Sequence, residues 1–301
     1  MDDERYRELL KTRAGDPGAV ATRAGERPRR PLLGPDGRLM IIAVDHPARR
    51  ILRAGDKPRA MANRRLLLEN TIRALSRPGV DGLLASPDLL EDLLLLGKLD
   101  NKVLFGSMNR GGLTGSAWEM DDRFTAHDAP TIARLGLDGG KMLLRLDYSD
   151  RGTIETIEGC ARAVAALAGL GLIAMIEPLP AYRDEQGRVR ISDDIDLLVE
   201  AVAVASALGP TSAYTWLKLP APSDPERMMA ATTLPALLLG GDPGDRAAEM
   251  IEAWRRAMEI PNVRGLVAGR SLLFPADGNI ERWVDEAVSI VHGGSASGID
   301  Q

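Results

Sequence analysis

Short, nearly continuous apolar runs alternate along the chain with longer segments in which apolar residues recur at helical spacing. The runs lie at 39–47, 80–87, 103–109, 140–148, 172–180, 214–220, 236–241 and 264–270, and the helical patterns fill 60–76, 88–98, 129–135, 153–170, 193–208, 224–231, 244–259 and 279–291. Gly, Pro or Asn precedes many of the runs and Gly or Pro follows them, as in αβ and βα turns. Ser192-Asp193, Ser223-Asp224 and Asp277-Gly278-Asn279 offer helix N-caps. Strands that are apolar on both faces, each followed by a helix, imply a parallel sheet covered on its outside. Eight such units in about 250 residues match an α/β fold, the (β/α)8 TIM barrel, as a single domain. A doubly wound open sheet is the competing arrangement, but no Gly-rich dinucleotide fingerprint follows the first run.

The residues ahead of the first run, Pro31-Leu32-Leu33-Gly34-Pro35-Asp36-Gly37, carry an Asp-Gly turn signal. They are expected to form a hairpin or plug over the barrel's N-terminal mouth, with one or two short helices at 2–28 packed outside. The expected organisation is an extension with this barrel-bottom hairpin at 1–38, the barrel at 39–293 and a flexible tail at 294–301. Among 301 residues, 45% are hydrophobic and 27% charged, a soluble globular balance. A net charge of −5 and the lack of a basic stripe interleaved with aromatics exclude a nucleic-acid binder. The basic cluster at 23–30 reads as a solvated surface segment. Cys160 is the single cysteine and reads as a buried structural thiol, so a reducing cytoplasm fits. The acidic start lacks the apolar core of a signal peptide, and no stretch reaches bilayer length. A cytoplasmic protein with no membrane partner is expected.

Barrels carry their chemistry at the C-terminal ends of the strands. That rule selects Asp45 and His46 after the first strand, Asn109 and Arg110 after the third, and Lys141, Arg145 and Tyr148 from the fourth. The fifth offers Glu177, the sixth Lys218, the seventh Gly240-Gly241 and the eighth Gly269-Arg270. Lys218 stands out because lysine is scarce here: only Lys11, Lys57, Lys98, Lys102, Lys141 and Lys218 occur. Burial penalises an ammonium and lowers its pKa, which can leave a nucleophilic amine near neutral pH; arginine stays charged and forms no imine. Lys141 would depress it further, and Asp45 and Glu177 could move protons to and from a carbinolamine. Two plainer readings stand beside this: a strand-end lysine that snorkels to solvent, and a buried ion network that fills a barrel layer.

Gly240-Gly241 and Gly269-Arg270 sit on consecutive strand ends, where barrels hold phosphate with main-chain N–H groups. Arg270 would add a bidentate contact. Of the three histidines, His292 follows the last helix and falls at the opposite end of the barrel. A trihistidine metal site is therefore disfavoured, and no metal or cofactor is expected. His46 is a candidate substrate contact, and His127, in the 110–128 loop, reads as a surface residue. That loop contains Gly111-Gly112, Gly115 and Trp118 and suits either a lid or an oligomer contact.

Several of these segments resemble a known family. Ile41-Ile42-Ala43-Val44-Asp45-His46 resembles the opening motif of the class I, Schiff-base aldolases of the archaeal-type fructose-bisphosphate, tagatose-1,6-bisphosphate and deoxyribose-phosphate-like group. Gly139-Gly140-Lys141 through Tyr148-Ser149-Asp150 is similar to the fourth strand of the tagatose-bisphosphate enzymes, and Ile176-Glu177-Pro178-Leu179 to their fifth. Trp216-Leu217-Lys218-Leu219-Pro220 resembles the Schiff-base strand, and Gly265 through Gly269-Arg270 the phosphate-binding turn. These matches run in order from residue 40 to about residue 275. The resemblance implies Lys218 as the imine-forming lysine, Glu177 as proton shuttle with Lys141 as its charged partner, and Asp45 on the hydroxyl at the bond being cleaved. Gly241, Gly269 and Arg270 would hold phosphate. Two departures are Leu239, where the family often has Ser, and Glu177-Pro178-Leu179-Pro180, which lacks the archaeal tyrosine on strand five.

The expected function is a metal-independent class I aldolase, a lyase of carbohydrate metabolism acting on a phosphorylated ketose or keto-acid sugar. Tagatose or fructose bisphosphate and 2-deoxy-5-keto-gluconate 6-phosphate are the candidates, and the resemblance implies a homo-oligomer. A sugar-phosphate isomerase or epimerase, with Glu177 moving a proton and Lys218 purely electrostatic, is the alternative enzyme. A non-catalytic sugar-phosphate-sensing barrel is the alternative outside enzymology.

Overall fold

A computed structural model of the chain describes residues 1–241 and 246–293; the expected tail at 294–301 lies outside these residues. The parallel strands are β1 (Leu39–Ala43), β2 (Gly82–Ala85), β3 (Val103–Ser107), β4 (Gly139–Leu146) and β5 (Ile173–Arg183). They continue, after a short β6 (Val189–Ile191) that pairs antiparallel with the end of β5, with β7 (Thr215–Leu219), β8 (Ala236–Leu239) and β9 (Val263–Ala268). The eight parallel strands pair in the order β1-β2-β3-β4-β5-β7-β8-β9, and β9 returns to β1 with Gly265 opposite Leu39 and Ala268 opposite Ile42. That last pairing closes a single-domain (β/α)8 barrel and excludes the open sheet. Gly265 permits it: at φ 138° a Cβ here would lie 1.9 Å from the Leu39 carbonyl oxygen.

The period-2 alternation of the strands divides their side chains into two sets. Met40, Ile42, Leu83, Leu104, Met142, Leu217 and Leu266 point outward and pack under the helices. Leu39, Ile41, Ala43, Phe105, Met175, Trp216, Leu237 and Val267 fill the barrel's interior. Along the same inward faces, two residues nearer the C-terminal end, stand Asp45, Ser107, Glu177 and Lys218. The sixth strand of the sequence pattern, which bears Lys218, is thus β7. Alternation alone lifts the charged side chains onto a floor of apolar ones.

Two helices, Asp3–Gly15 and Ala19–Glu26, pack on the outside, where Arg13 bonds Asp92 at 2.8 Å and Glu91 at 2.6 Å. Of the hairpin or plug expected here, the hairpin does not form. No strand occurs between residues 27 and 38, because Pro28, Pro31 and Pro35 remove the main-chain donors a ladder needs. The segment instead crosses the N-terminal mouth as irregular chain and rests Leu32 on the interior cluster. Nor is the whole basic cluster solvated: Arg27 is buried, donating to the carbonyls of Lys102 and Gly136 at 2.9 Å each.

At this lower end His292, from the last helix (Ile280–His292), meets Asp36 at 2.5 Å and Asp81 at 3.1 Å. The hydrogen bond to Asp81 outweighs burial and, with Asp36, raises the imidazole to about 9. A folded-state pKa above the unfolded value near 6.5 stabilises fully below the unfolded value and ceases to do so as pH rises through about 9. His292→Ala is therefore expected to cost roughly 2–3 kcal/mol near pH 6 and much less near pH 9.5. Denaturant melts at the two pH values check this, and equal losses would refute it.

Candidate active site

The C-terminal mouth encloses a cavity of about 520 Å³. Its floor carries Asp45, Lys141, Glu177 and Lys218, which β1, β4, β5 and β7 bring together from four separate stretches of sequence. Lys218 is 5% exposed and its Nζ donates to Glu177 Oε1 at 2.5 Å. The other oxygen, Oε2, pairs with Lys141 Nζ, so one carboxylate bridges two ammonium groups. Burial opposes the charge on Glu177, but Lys141 and Lys218 overcome it and hold the carboxyl at about 2. Burial in turn lowers the pKa of Lys141, against the pull of Glu177 and Asp45.

Asp45 lies just past β1, where Lys141 Nζ is 3.6 Å from Oδ2, Arg110 Nη1 3.2 Å and Ser107 Oγ 3.0 Å. Burial works against ionisation, yet Arg110 and Lys141 keep the group well below the usual carboxylate range. His46, next to it, is pushed the opposite way. Burial, with Arg270, Lys218 and Arg110 around it, lowers the imidazole to about 3 despite Asp45. The ring is neutral at physiological pH, and its buried Nδ1 has no hydrogen-bond partner in the protein, so it is a hydrogen-bonding group available to a ligand and not a cation.

Gly240, Gly241, Gly269 and Arg270 form the rim over β8 and β9. Gly241 is left-handed, at φ 61°, and a Cβ on Gly269 would lie 2.2 Å from the Ala43 carbonyl oxygen. The main chain thus runs bare along this side of the cavity, the arrangement that admits an anion to peptide N–H groups.

Two expected contacts are absent from the cavity. Arg145 does point inward, but its Nε and Nη2 bond Asp122 at 2.8 and 2.9 Å, and Glu119 stands beside it. The 110–128 loop folds back between Arg145 and the mouth, and Gly112 makes this possible, since a Cβ there would sit 2.2 Å from the Glu119 carbonyl oxygen. Tyr148 lies beyond the strand end, is 70% exposed and hydrogen-bonds Glu200 at 3.0 Å. His127 is likewise misplaced by sequence: it is buried behind β3 against Gly106, and burial lowers its pKa.

The 110–128 loop is fastened from three directions. Asn109 closes its base by donating to the Leu143 carbonyl at 2.5 Å and accepting from the Leu143 N–H at 2.7 Å. Arg49, at the end of a short 3-10 turn after Asp45, reaches Asp122 at 2.6 Å, and Arg145 holds the same carboxylate. Buried ion pairs of this kind describe a fixed wall. The opposite wall is built from Leu179, Leu198, Pro220, Ala221 and Pro222, with Ile191, Ser192 and Asp193 supplied by β6 and the chain after it. The β5–β6 hairpin is not signalled by the apolar runs; the available cue is the Asp184-Glu185-Gln186-Gly187 turn, with Gly187 at φ 72°. A larger groove, about 700 Å³, lies outside the barrel between the helices Ala129–Arg134 and Gly152–Gly169, and contains none of the charged strand-end set.

Among the described residues no group of three or more His, Cys, Asp or Glu side chains could hold a metal ion, and no helix is long and apolar enough to cross a membrane. The Cgl0159-like family model matches residues 37–288. The crystal structure of Cgl0159 from Corynebacterium glutamicum is 46% identical, with a TM-score of 0.94 over 97% of this chain and 98% of that one. An archaeal fructose 1,6-bisphosphate aldolase is 17% identical, with a TM-score of 0.65 over 91% of this chain and 100% of its own. Another structure of an archaeal fructose-1,6-bisphosphate aldolase, its catalytic Lys covalently bound to the carbinolamine intermediate of the substrate, gives 16% and 0.66 over 91% and 100%. At such identities the likeness to the archaeal enzymes is one of fold. No curated protein matches the chain.

Proposed function

The chain belongs to the Cgl0159-like family, and from that premise and the floor of the cavity we propose that it is a class I, metal-independent aldolase acting on a phosphorylated ketose or keto-acid sugar. One observation carries the reading: a buried lysine at an inward strand position, Lys218, is hydrogen-bonded to a carboxylate that a second lysine also grips. A structural ion pair needs one cation per carboxylate. A Schiff-base site needs an amine that can give up its proton, an acceptor beside it and a residual cation that keeps the acceptor ionised.

In this reading Lys218 loses a proton to Glu177 and attacks the substrate carbonyl, forming a carbinolamine. Glu177, whose affinity for a proton is low, returns it to the carbinolamine hydroxyl, which leaves as water. The iminium remains paired with Glu177. A base, for which Asp45 is the nearest ionised candidate, removes the proton of the hydroxyl on the far carbon of the bond to be broken. The C–C electrons flow into the iminium, an aldehyde departs and an enamine is left. Protonation at carbon and hydrolysis then restore Lys218. Gly240, Gly241, Gly269 and Arg270 would hold the phosphate, and neutral His46 would contact a hydroxyl. The archaeal aldolase with its lysine captured as a carbinolamine supports the reading through a shared barrel.

Borohydride reduction in the presence of dihydroxyacetone phosphate or a ketose phosphate is expected to add the reduced ligand's mass to the peptide bearing Lys218, with EDTA making no difference. Absence of an adduct with every ketose phosphate tried, or an adduct confined to other lysines, would overturn the imine. Solvent deuterium entering a sugar phosphate that is never cleaved would instead identify an isomerase.

A further inference from the structure

Arg110 has no part in the steps above, yet it is the cation that meets Asp45 most closely. It is 7% exposed and reaches across from the end of β3 to the turn after β1. Its Nη1 lies 3.2 Å from Asp45 Oδ2, and its Nη2 donates to the main-chain carbonyl of the same residue. The guanidinium fork thus fixes both the charge and the backbone of Asp45, which a lysine at this position could not do. Its own position is held on either side. Asn109 clamps the Leu143 main chain, and the Gly111 N–H donates to the Arg123 carbonyl at 3.1 Å.

We propose that Arg110 is a positioning residue of the aldol cleavage step: it keeps the Asp45 carboxylate ionised and aimed into the cavity, with the 110–128 loop as its scaffold. This rests on the imine reading of the site and deepens it. Asp45 is faced by Arg110 from β3, Lys141 from β4, Lys218 from β7 and His46 from its own turn. His46 is neutral, and Lys141 and Lys218 are bound to Glu177, so Arg110 is the cation whose closest carboxylate is Asp45. It does not itself contact the reacting atoms, so its loss is expected to act on cleavage and spare imine formation.

The experiment compares Arg110→Gln and Arg110→Lys with the parent in two assays, borohydride trapping and the pH dependence of kcat for cleavage. Arg110→Gln is expected to trap imine at the parental rate, to lower kcat by about tenfold to a hundredfold with KM nearly unchanged, and to move the acid limb of kcat upward by about one unit. Arg110→Lys restores the charge without the fork, so it should return the acid limb and recover only part of kcat. Normal trapping with an unmoved acid limb, or a rise in KM alone, overturns the role of Arg110 while leaving the imine intact. A parent protein that traps no imine overturns both. If Arg110→Gln fails to fold, Ser107→Ala, which removes the neutral hydrogen bond to Asp45, must shift the acid limb in the same direction by a smaller amount, and an unshifted limb refutes the proposal.

Discussion

Lys218→Met is expected to abolish borohydride trapping and to reduce turnover by about 10⁴-fold or more, since removing a covalent nucleophile leaves only binding and local electrostatics. The same change should leave the melting temperature unchanged or raise it. On the floor of the cavity Lys141, Lys218 and Arg110 face two carboxylates, Asp45 and Glu177. Replacing Lys218 by a neutral chain of similar length leaves each remaining cation with one carboxylate, and Met suits the apolar interior below it, to which Trp216 of the same strand face belongs. Activity and stability therefore move apart, which a lysine serving only the fold would not produce. Turnover on the sugar phosphate selected by trapping, measured beside thermal melts, checks both halves. Residual activity within tenfold of the parent would end the nucleophile's role.

Glu177 is expected to show the opposite pattern, losing both together. Glu177→Gln keeps the shape but leaves Lys218 without its carboxylate and Lys141 with Asp45 alone, and losing a proton shuttle costs about 10²- to 10⁴-fold in kcat. Glu177→Leu should destabilise by roughly 3–5 kcal/mol, the range for a buried charge stripped of its partner. The parent's own dependence on pH follows from the sign of the shift. With the carboxyl held at about 2, below its ordinary value of 4.5, its stabilisation is complete above pH 4.5 and fades as pH falls through about 2. A Glu177→Leu protein whose stability matched the parent's at pH 7 would show that the bridge contributes nothing.

The eight strands and the charged floor were legible in the sequence for one reason. Inward strand positions repeat every second residue, so Ala43 leads to Asp45, Met175 to Glu177 and Trp216 to Lys218 without knowledge of the loops. The same rule sends Arg145 inward, and inward it goes. What alternation cannot say is that Glu119 and Asp122 arrive from a loop more than twenty residues earlier and occupy the space between Arg145 and the mouth. Tyr148 escapes the rule because it lies past the strand's end, where the chain turns. Arg110 and the β5–β6 hairpin depend on pairings between segments distant along the chain. His127 reads as polar loop, yet it is buried against Gly106 of β3.

The wall fastened by Arg49, Asp122 and Arg145 divides the mouth into unequal territories. Substitutions in the β1–β4 half disturb charges that depend on one another, so variation there is penalised in groups. The half framed by Ile191–Asp193 and Pro220–Pro222 touches the cavity through side chains that share no ion pairs with the floor. New substrate preferences can accumulate on that rim one residue at a time while the bond-breaking apparatus on the floor below stays as it is, which makes the hairpin rim the evolvable part of this barrel.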